Sequence, residues 1–394
     1  MTVPTTRAEA LAAAAAIAQR ARARARQAEA DRLVPRETID EIKAAGLFGI
    51  VTPRSLGGAE LGFAALVEVT TELAAACGST GWVYGVLAGH SWMLNLFPIE
   101  AQREVFASPQ PLTATVFRLA GKVERVAGGF RLTEAAGRFC SGVDHAGWVI
   151  VGCPVSTVAG PPDPHFFVLP RAEFEIIDDW FTAGMRGTGS RSIRLKESFI
   201  PEHRAVRLQE MANGTSPGAL YHNQPIYRAS FHDVSPFSLI GAPLGMARAA
   251  VRAFAESLKA SIQRMPEEQV NGQAATFARL ARASAEIDAA YTLTLADAER
   301  LDATTSPDSR DPLSRAQVLR NWAWAAQTAR HAVNRVFEAS GGSGIYDSSE
   351  LQRIWRDVNS AAQHFAFTWD SAMANFGRVL IGLPPSAVPP RGGR

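Results

Sequence analysis

The sequence predicts an α+β fold in three successive units. A helical domain occupies residues 1–110, a small β-barrel or sheet residues 111–215, and a four-helix bundle with a flexible tail residues 216–394. Three observations carry this. Before residue 110 apolar residues recur at helical spacing. From Pro111 to about Leu208 short β-branched and aromatic runs are punctuated by Gly, Pro and Asp. Beyond Pro243 long Ala/Arg/Leu-rich segments return. At 394 residues the chain can bury a full core in two or three domains.

Taken in order, the Ala-rich stretch Leu11 to Ile17 reads as an exposed amphipathic helix. As a targeting peptide it has the wrong flanks, with only Arg7 before it and Arg20, Arg22, Arg24 and Arg26 after. Pro35 opens the next helix, Ile39 and Ile42 share its face, and Gly46 closes it. Pro53 to Gly58 is a loop by its turn residues. Phe63 to Cys77 is again helix-periodic, and Gly78-Ser79-Thr80 reads as a break with a new N-cap before Gly81. Strands are expected at Thr113–Phe117, Gly129–Thr133, Trp148–Val151, His165–Leu169 and Ser192–Leu195. Four long helices, Leu244 to Arg264, Ala274 to Leu301, Pro312 to Ser340 and Ser349 to about Ile381, make the bundle. Thr304 to Pro312 is an exposed loop, and the Pro/Gly-rich stretch Pro384 to Arg394 is the tail.

Composition narrows the function classes. Forty basic against 38 acidic residues leave a net charge of +2, without the basic stripe that binds nucleic acid. No apolar run approaches the roughly 20 residues that span a membrane, so no membrane partner is expected. Cys77, Cys140 and Cys153 form no CxxC, which fits a reducing cytoplasm. Neither GxGxxG nor GxxxxGK[ST] is present, nor HExxH, metal-spaced Cys/His or GxSxG, so no metal site is expected. Gly187–Ser190 and Gly341–Gly344, taken alone, are tight turns.

Longer strings are more specific. Gly46-Leu-Phe-Gly-Ile-Val-Thr-Pro53, Cys77-Gly-Ser-Thr-Gly-Trp-Val83, Phe139-Cys-Ser-Gly-Val-Asp-His-Ala-Gly-Trp148, Asp178 to Ser190, Phe337-Glu-Ala-Ser-Gly-Gly342 and Gln352-Arg-Ile-Trp-Arg-Asp-Val358 occur in that order. Together they resemble the acyl-CoA dehydrogenase fold over nearly all of residues 30–380. Within it, Ser-Gly-x-Asp-His-Ala, Arg-Gly-Thr-Gly-Ser and a histidine eight residues after Arg356 resemble the oxygenase component of two-component flavin-dependent monooxygenases. That branch includes seco-steroid phenol 4-hydroxylases, 4-hydroxyphenylacetate hydroxylases and dibenzothiophene monooxygenases. Common acyl-CoA dehydrogenases carry a glutamate base nine residues after the corresponding arginine. Here that position is Phe365, beside His364, so α-proton abstraction lacks its usual base.

The resemblance implies a reduced flavin, FMN or FAD, delivered by a separate flavin reductase. With O2 as co-substrate it would form a C4a-hydroperoxide that hydroxylates an aromatic, phenolic or polycyclic small molecule. It places Ser141 opposite flavin N5, Phe139 and Trp180 as walls of the ring system, Arg264 at a flavin phosphate across a subunit interface, and Gly341, Gly342 and Ser343 close to the cofactor. His364 is the expected proton acceptor for a phenol of pKa about 10. His90 is the second catalytic candidate, and Trp92, Thr115 and Phe365 would line the substrate pocket. His145 is read as structural. A homotetramer is implied. Thr113-Ala-Thr-Val-Phe117 and Asn359 depart from the seco-steroid branch, so that substrate is not carried over. Sulfur or nitrogen oxygenation, or an acyl-CoA dehydrogenase-like flavoenzyme, are the alternatives.

Overall fold

The computed structural model describes residues 3–133, 135–157, 160–304 and 311–386. The N-terminal helices are α1 (Arg7–Ala23), α2 (Ala25–Asp31), α3 (Arg36–Ala44), α4 (Gly62–Ala76), α5 (Gly78–Leu94) and α6 (Ile99–Phe106). α1 is not an exposed helix. Its Ala10, Ala14, Ile17, Ala18 and Ala21 are buried, and the helix packs on α4, because small alanine side chains allow close helix approach. The helix break falls at Cys77, whose extended backbone separates α4 from α5, so Gly78-Ser79-Thr80 lies inside α5.

Among the described residues ten strands follow: β1 (Thr113–Val116), β2 (Val123–Val126), β3 (Gly129–Leu132), β4 (Ala135–Cys140), β5 (Trp148–Val155), β6 (Asp163–Pro170), β7 (Phe174–Ile177), β8 (Arg191–Leu195), β9 (Ser198–Pro201) and β10 (Ala205–Arg207). One sheet runs β10-β6-β5-β2-β3-β9, with β1 added beside β5. A second, smaller sheet runs β4-β8-β7. Five strands lie outside the expected set: β2, β7, β9 and β10 are three or four residues long, too short for a period-two pattern to stand out, and the six-residue β4 carries Gly137 and a register shift that interrupt its pattern.

Four short helices, α7 (Leu208–Asn213), α8 (Pro217–His222), α9 (Pro225–Arg228) and α10 (Phe231–Val234), lead into the bundle. It consists of α11 (Phe237–Ile262), the short α12 (Glu267–Asn271), α13 (Ala274–Asp302), α14 (Pro312–Ala339), α15 (Glu350–Ala361) and α16 (Trp369–Leu380). α11 begins seven residues before the expected Leu244 and carries Pro243 inside it. Phe231–Ile262 is the one stretch, among the described residues, long and apolar enough to cross a membrane, contrary to the expectation from sequence. It is 83% buried inside the fold, as a core helix is. The expected helix 349–381 is two helices. It breaks at His364, whose extended backbone and Nδ1, accepting the Ala366 N–H at 3.2 Å, start a 3-10 turn over Phe365–Phe367. Residues 305–310 of the expected loop and 387–394 of the expected tail lie outside the described residues.

Two joints position the site. α11 lies along α4 and α5; a Cβ at Gly85 would stand 2.1 Å from the Ser238 carbonyl oxygen, so only glycine permits that approach. At the far end of α13, the Asp302 carboxylate accepts the N–H groups of Phe63 (2.8 Å) and Ala64 (2.9 Å) and caps α4 from outside.

Candidate active site

The β4 strand ends in an irregularity. Its pairing with β8 shifts register between Gly137 and Cys140, and Phe139 takes a left-handed backbone (φ 65°). This kink throws the Phe139 ring outward, 68% exposed, to stand edge-to-face with Trp180 at 6.1 Å. Ser141 follows directly, half-buried. Its Oγ accepts the Trp82 indole N–H of α5 (3.2 Å) and lies 2.6 Å from the Ser190 hydroxyl. Trp180 is held in turn by donating to the Met185 carbonyl at 3.0 Å.

Trp82 connects this wall to the bundle. Its ring meets His364 edge-on at 5.5 Å, and His364 packs on Phe365 at 4.4 Å. Phe365 meets Phe117 at 6.1 Å, and Phe117 meets His90 at 6.2 Å. Ser141, Trp82, His364, Phe365, Phe117 and His90 therefore form one continuous run of contacts across three parts of the chain. A cavity at its inner end is lined by His90, Trp92, Phe117, Phe63, Phe231 and Ser238. Trp92 is fixed there by donating to the Ile226 carbonyl at 2.9 Å.

Thr115 stands on β1, whose alternation places Thr113, Thr115 and Phe117 on one face. Val116, which abuts Gly137, is on the other. The hydroxyls of Thr113 and Thr115 are buried with no hydrogen-bond partner among the described residues. An unsatisfied buried hydroxyl costs about 1–3 kcal/mol.

The two histidines differ in polarity. His90 Nδ1 lies 3.2 Å from the Thr113 carbonyl oxygen, which can only accept; Nδ1 therefore carries the proton and Nε2 presents a lone pair. His364 Nδ1 accepts from Ala366, so its neutral ring carries the proton on Nε2 and presents a donor. Burial pushes both down to about pKa 4, keeping them neutral at pH 7. His364 is thus set up as a donor, opposite to the acceptor role expected from sequence, and His90 takes the acceptor geometry.

Four expected cofactor residues do not join this cluster. Arg264 is exposed just past α11 and donates to Ala260 of its own helix at 3.1 Å. Gly341 and Gly342 have nothing within 4 Å of where a Cβ would sit, and the Ser343 hydroxyl donates to Ser340. Sequence reading also passed over Trp82, Phe117, Thr188 and Ser190. Trp82, Phe117 and Ser190 look like ordinary helix, strand and turn residues because they meet partners distant in the chain, and Thr188 looks like one because its own partners lie within its tight turn. Among the described residues no group of three or more His, Cys, Asp and Glu could hold a metal, and no carboxylate lines the cavity.

Known proteins resemble this chain over most of its length. Residues 5–109 match the acyl-CoA dehydrogenase N-terminal domain and residues 238–369 its C-terminal domain. A pigment production hydroxylase from a Rhodococcus species is 35% identical over 359 residues, 91% of this chain and 92% of that protein. The oxygenase component of a FADH2-dependent resorcinol hydroxylase from a Rhizobium species is 32% identical over 91% of this chain and 90% of its own length. The crystal structure of the HsaA monooxygenase from Mycobacterium tuberculosis superposes with a TM-score of 0.88 at 31% identity, covering 97% of this chain and 99% of that one.

Proposed function

This chain belongs to the oxygenase components of flavin-dependent monooxygenases built on the acyl-CoA dehydrogenase fold, and from that membership we propose that it hydroxylates a phenolic aromatic substrate. The reduced flavin comes from a separate reductase, O2 is the co-substrate, and the flavin, when bound, supplies the activated oxygen. A flavin fits the outer wall: Ser141 is half-buried there, and the exposed Phe139 ring beside Trp180 offers an apolar face for a planar ring system.

The single observation that carries the reading is the run of contacts from Ser141 through Trp82 and His364 to Phe117 and His90. It joins the wall proposed for the cofactor to an aromatic-lined pocket. His90 Nε2 accepts the hydrogen bond of the substrate hydroxyl. Full proton transfer from a phenol at pKa about 10 to a group at about 4 costs about 8 kcal/mol, so the bound phenol stays protonated at first. Once oxygen attacks the ring, the hydroxyl becomes far more acidic and even a weak base takes its proton. His364 Nε2–H donates to the oxygen being transferred or to the substrate. Of the expected pocket residues Trp92 lines the cavity, whereas Thr115 on β1 and Phe365 against Phe117 stand outside its lining.

The assembly proposed is a homotetramer. α16 contains no buried residue, and Trp369, Leu380, Ile381 and Leu383 are exposed along and just past it, a stripe suited to cover by another subunit. Arg264 and Gly341–Ser343 would serve a neighbouring subunit's flavin, which accounts for their distance from Ser141. The three buried, unpaired cysteines suit a cytoplasmic setting. Light scattering showing a monomer at micromolar concentration contradicts the assembly.

The reading is tested by mixing anaerobically reduced FMN or FAD with the protein and then adding O2 and a phenol panel that includes resorcinol and 4-hydroxyphenylacetate. A hydroxylated product is expected. Absence of product across the panel, with only hydrogen peroxide formed, argues against it.

A further inference from the structure

A chain of three hydroxyls ends at Ser141, and its direction can be read from its other end. The Thr188 hydroxyl donates to the Met185 carbonyl at 2.8 Å, an oxygen that can only accept. Its single proton is therefore spent, and at the 2.7 Å contact between Thr188 and Ser190 it is Ser190 that donates. Ser190 then has no proton for the 2.6 Å contact with Ser141, so Ser141 donates to Ser190. Ser141 also accepts from the Trp82 indole at 3.2 Å, leaving one lone pair. Thr188 and Ser190 are both buried. The anchor is rigid, since the Met185 N–H is held at 2.6 Å by the buried carboxylate of Asp357 on α15 and the Met185 carbonyl also accepts from Trp180.

We propose that Thr188 and Ser190 are positioning residues that lock the Ser141 hydroxyl as an acceptor, so that the site selects the reduced flavin over the oxidised one. Resting on the function proposed above, the argument is one of matching: reduced flavin carries a proton on N5 and can donate to Ser141, whereas oxidised flavin offers N5 as a lone pair. A lone pair facing a lone pair forfeits a hydrogen bond, a factor of about ten in affinity. Selecting the reduced form suits an oxygenase that must take its cofactor from a reductase while oxidised flavin is also present.

The test is the affinity of the full-length protein for FMN, oxidised and, under anaerobic conditions, dithionite-reduced. Ser190→Ala frees the Ser141 proton to turn outward. Oxidised FMN is then expected to bind about tenfold tighter while reduced FMN changes little, a potential shift of about 30 mV for the bound two-electron couple. Thr188→Val should act the same way, because Ser190 can then donate to Ser141. Ser190→Thr keeps the hydroxyl and should restore the native ratio. A merely structural role would weaken both redox states together; that result, or an unchanged ratio in both variants, overturns the relay. Wild-type protein that binds neither form overturns the flavin reading itself.

Discussion

His90 and His364 are the same residue type, are both held near pKa 4, and sit at two ends of one aromatic run, yet they present opposite chemistry. His90 lies in α5 and gives its Nδ1 proton to a carbonyl on β1, 23 residues away. His364 breaks the helical run between α15 and α16 and takes an N–H from two residues ahead. The difference teaches that proton direction in this pocket is set by the backbone group nearest each Nδ1. Burial fixes only that both rings are neutral.

The largest effect should separate the two roles. His90→Ala removes the acceptor, and kcat for phenol hydroxylation is expected to fall about 100-fold. His364→Ala removes a donor and should cost about tenfold, with His364→Gln recovering most of it because the amide still donates. Steady-state product formation with excess reduced flavin measures both; a larger loss at His364 than at His90 reverses the assignment.

The pH profile sharpens the same comparison. Both rings are depressed from about 6.5 to about 4, so turnover should be flat from pH 8 to pH 5, with an acid limb near pH 4. The sign for stability follows. The unfolded chain takes up protons below pH 6.5 that the folded histidines refuse. Their contribution is therefore present above pH 6.5 and lost as pH falls through about 4, about 3 kcal/mol for His90. Asp302 and Asp357, pushed up to about 6 by burial, pull the other way between pH 4 and 6. The histidine share is accordingly read as the difference in urea midpoints between wild type and His90→Gln at pH 7 and pH 5. A difference independent of pH breaks the linkage.

The smallest expected effect is at the bridge. Trp82→Phe keeps the ring that packs on His364 but removes the indole N–H from Ser141, and should weaken reduced FMN binding only about threefold to tenfold. The reduced-to-oxidised affinity ratio should survive, because Ser141 still donates to Ser190. Fluorescence titration of both flavin forms checks this.

Much of the frame was legible because it is local. Helical periodicity placed α3, α4, α13 and α14 to within a few residues, and the aromatic and β-branched runs placed β1, β3, β5, β6 and β8. The family resemblance made Ser141, His364 and His90 the candidates. α1 was misread because its alanines give little contrast between faces, so its packing on α4 shows only when the partner is present. The break at His364 was missed because a histidine capping a 3-10 turn leaves no Gly or Pro signal.

The sequence by itself determined most of the long helices and the longer strands and which hydroxyl and imidazoles are available, since these depend on side-chain type and on spacing within one element. Only the tertiary structure decided which way each proton points. The Thr113 carbonyl beside His90 and the Trp82 indole against Ser141 come from other elements, and the Met185 carbonyl beneath Thr188, though local, is fixed by Asp357 of α15. A hydrogen bond has a direction only once both of its partners are in place.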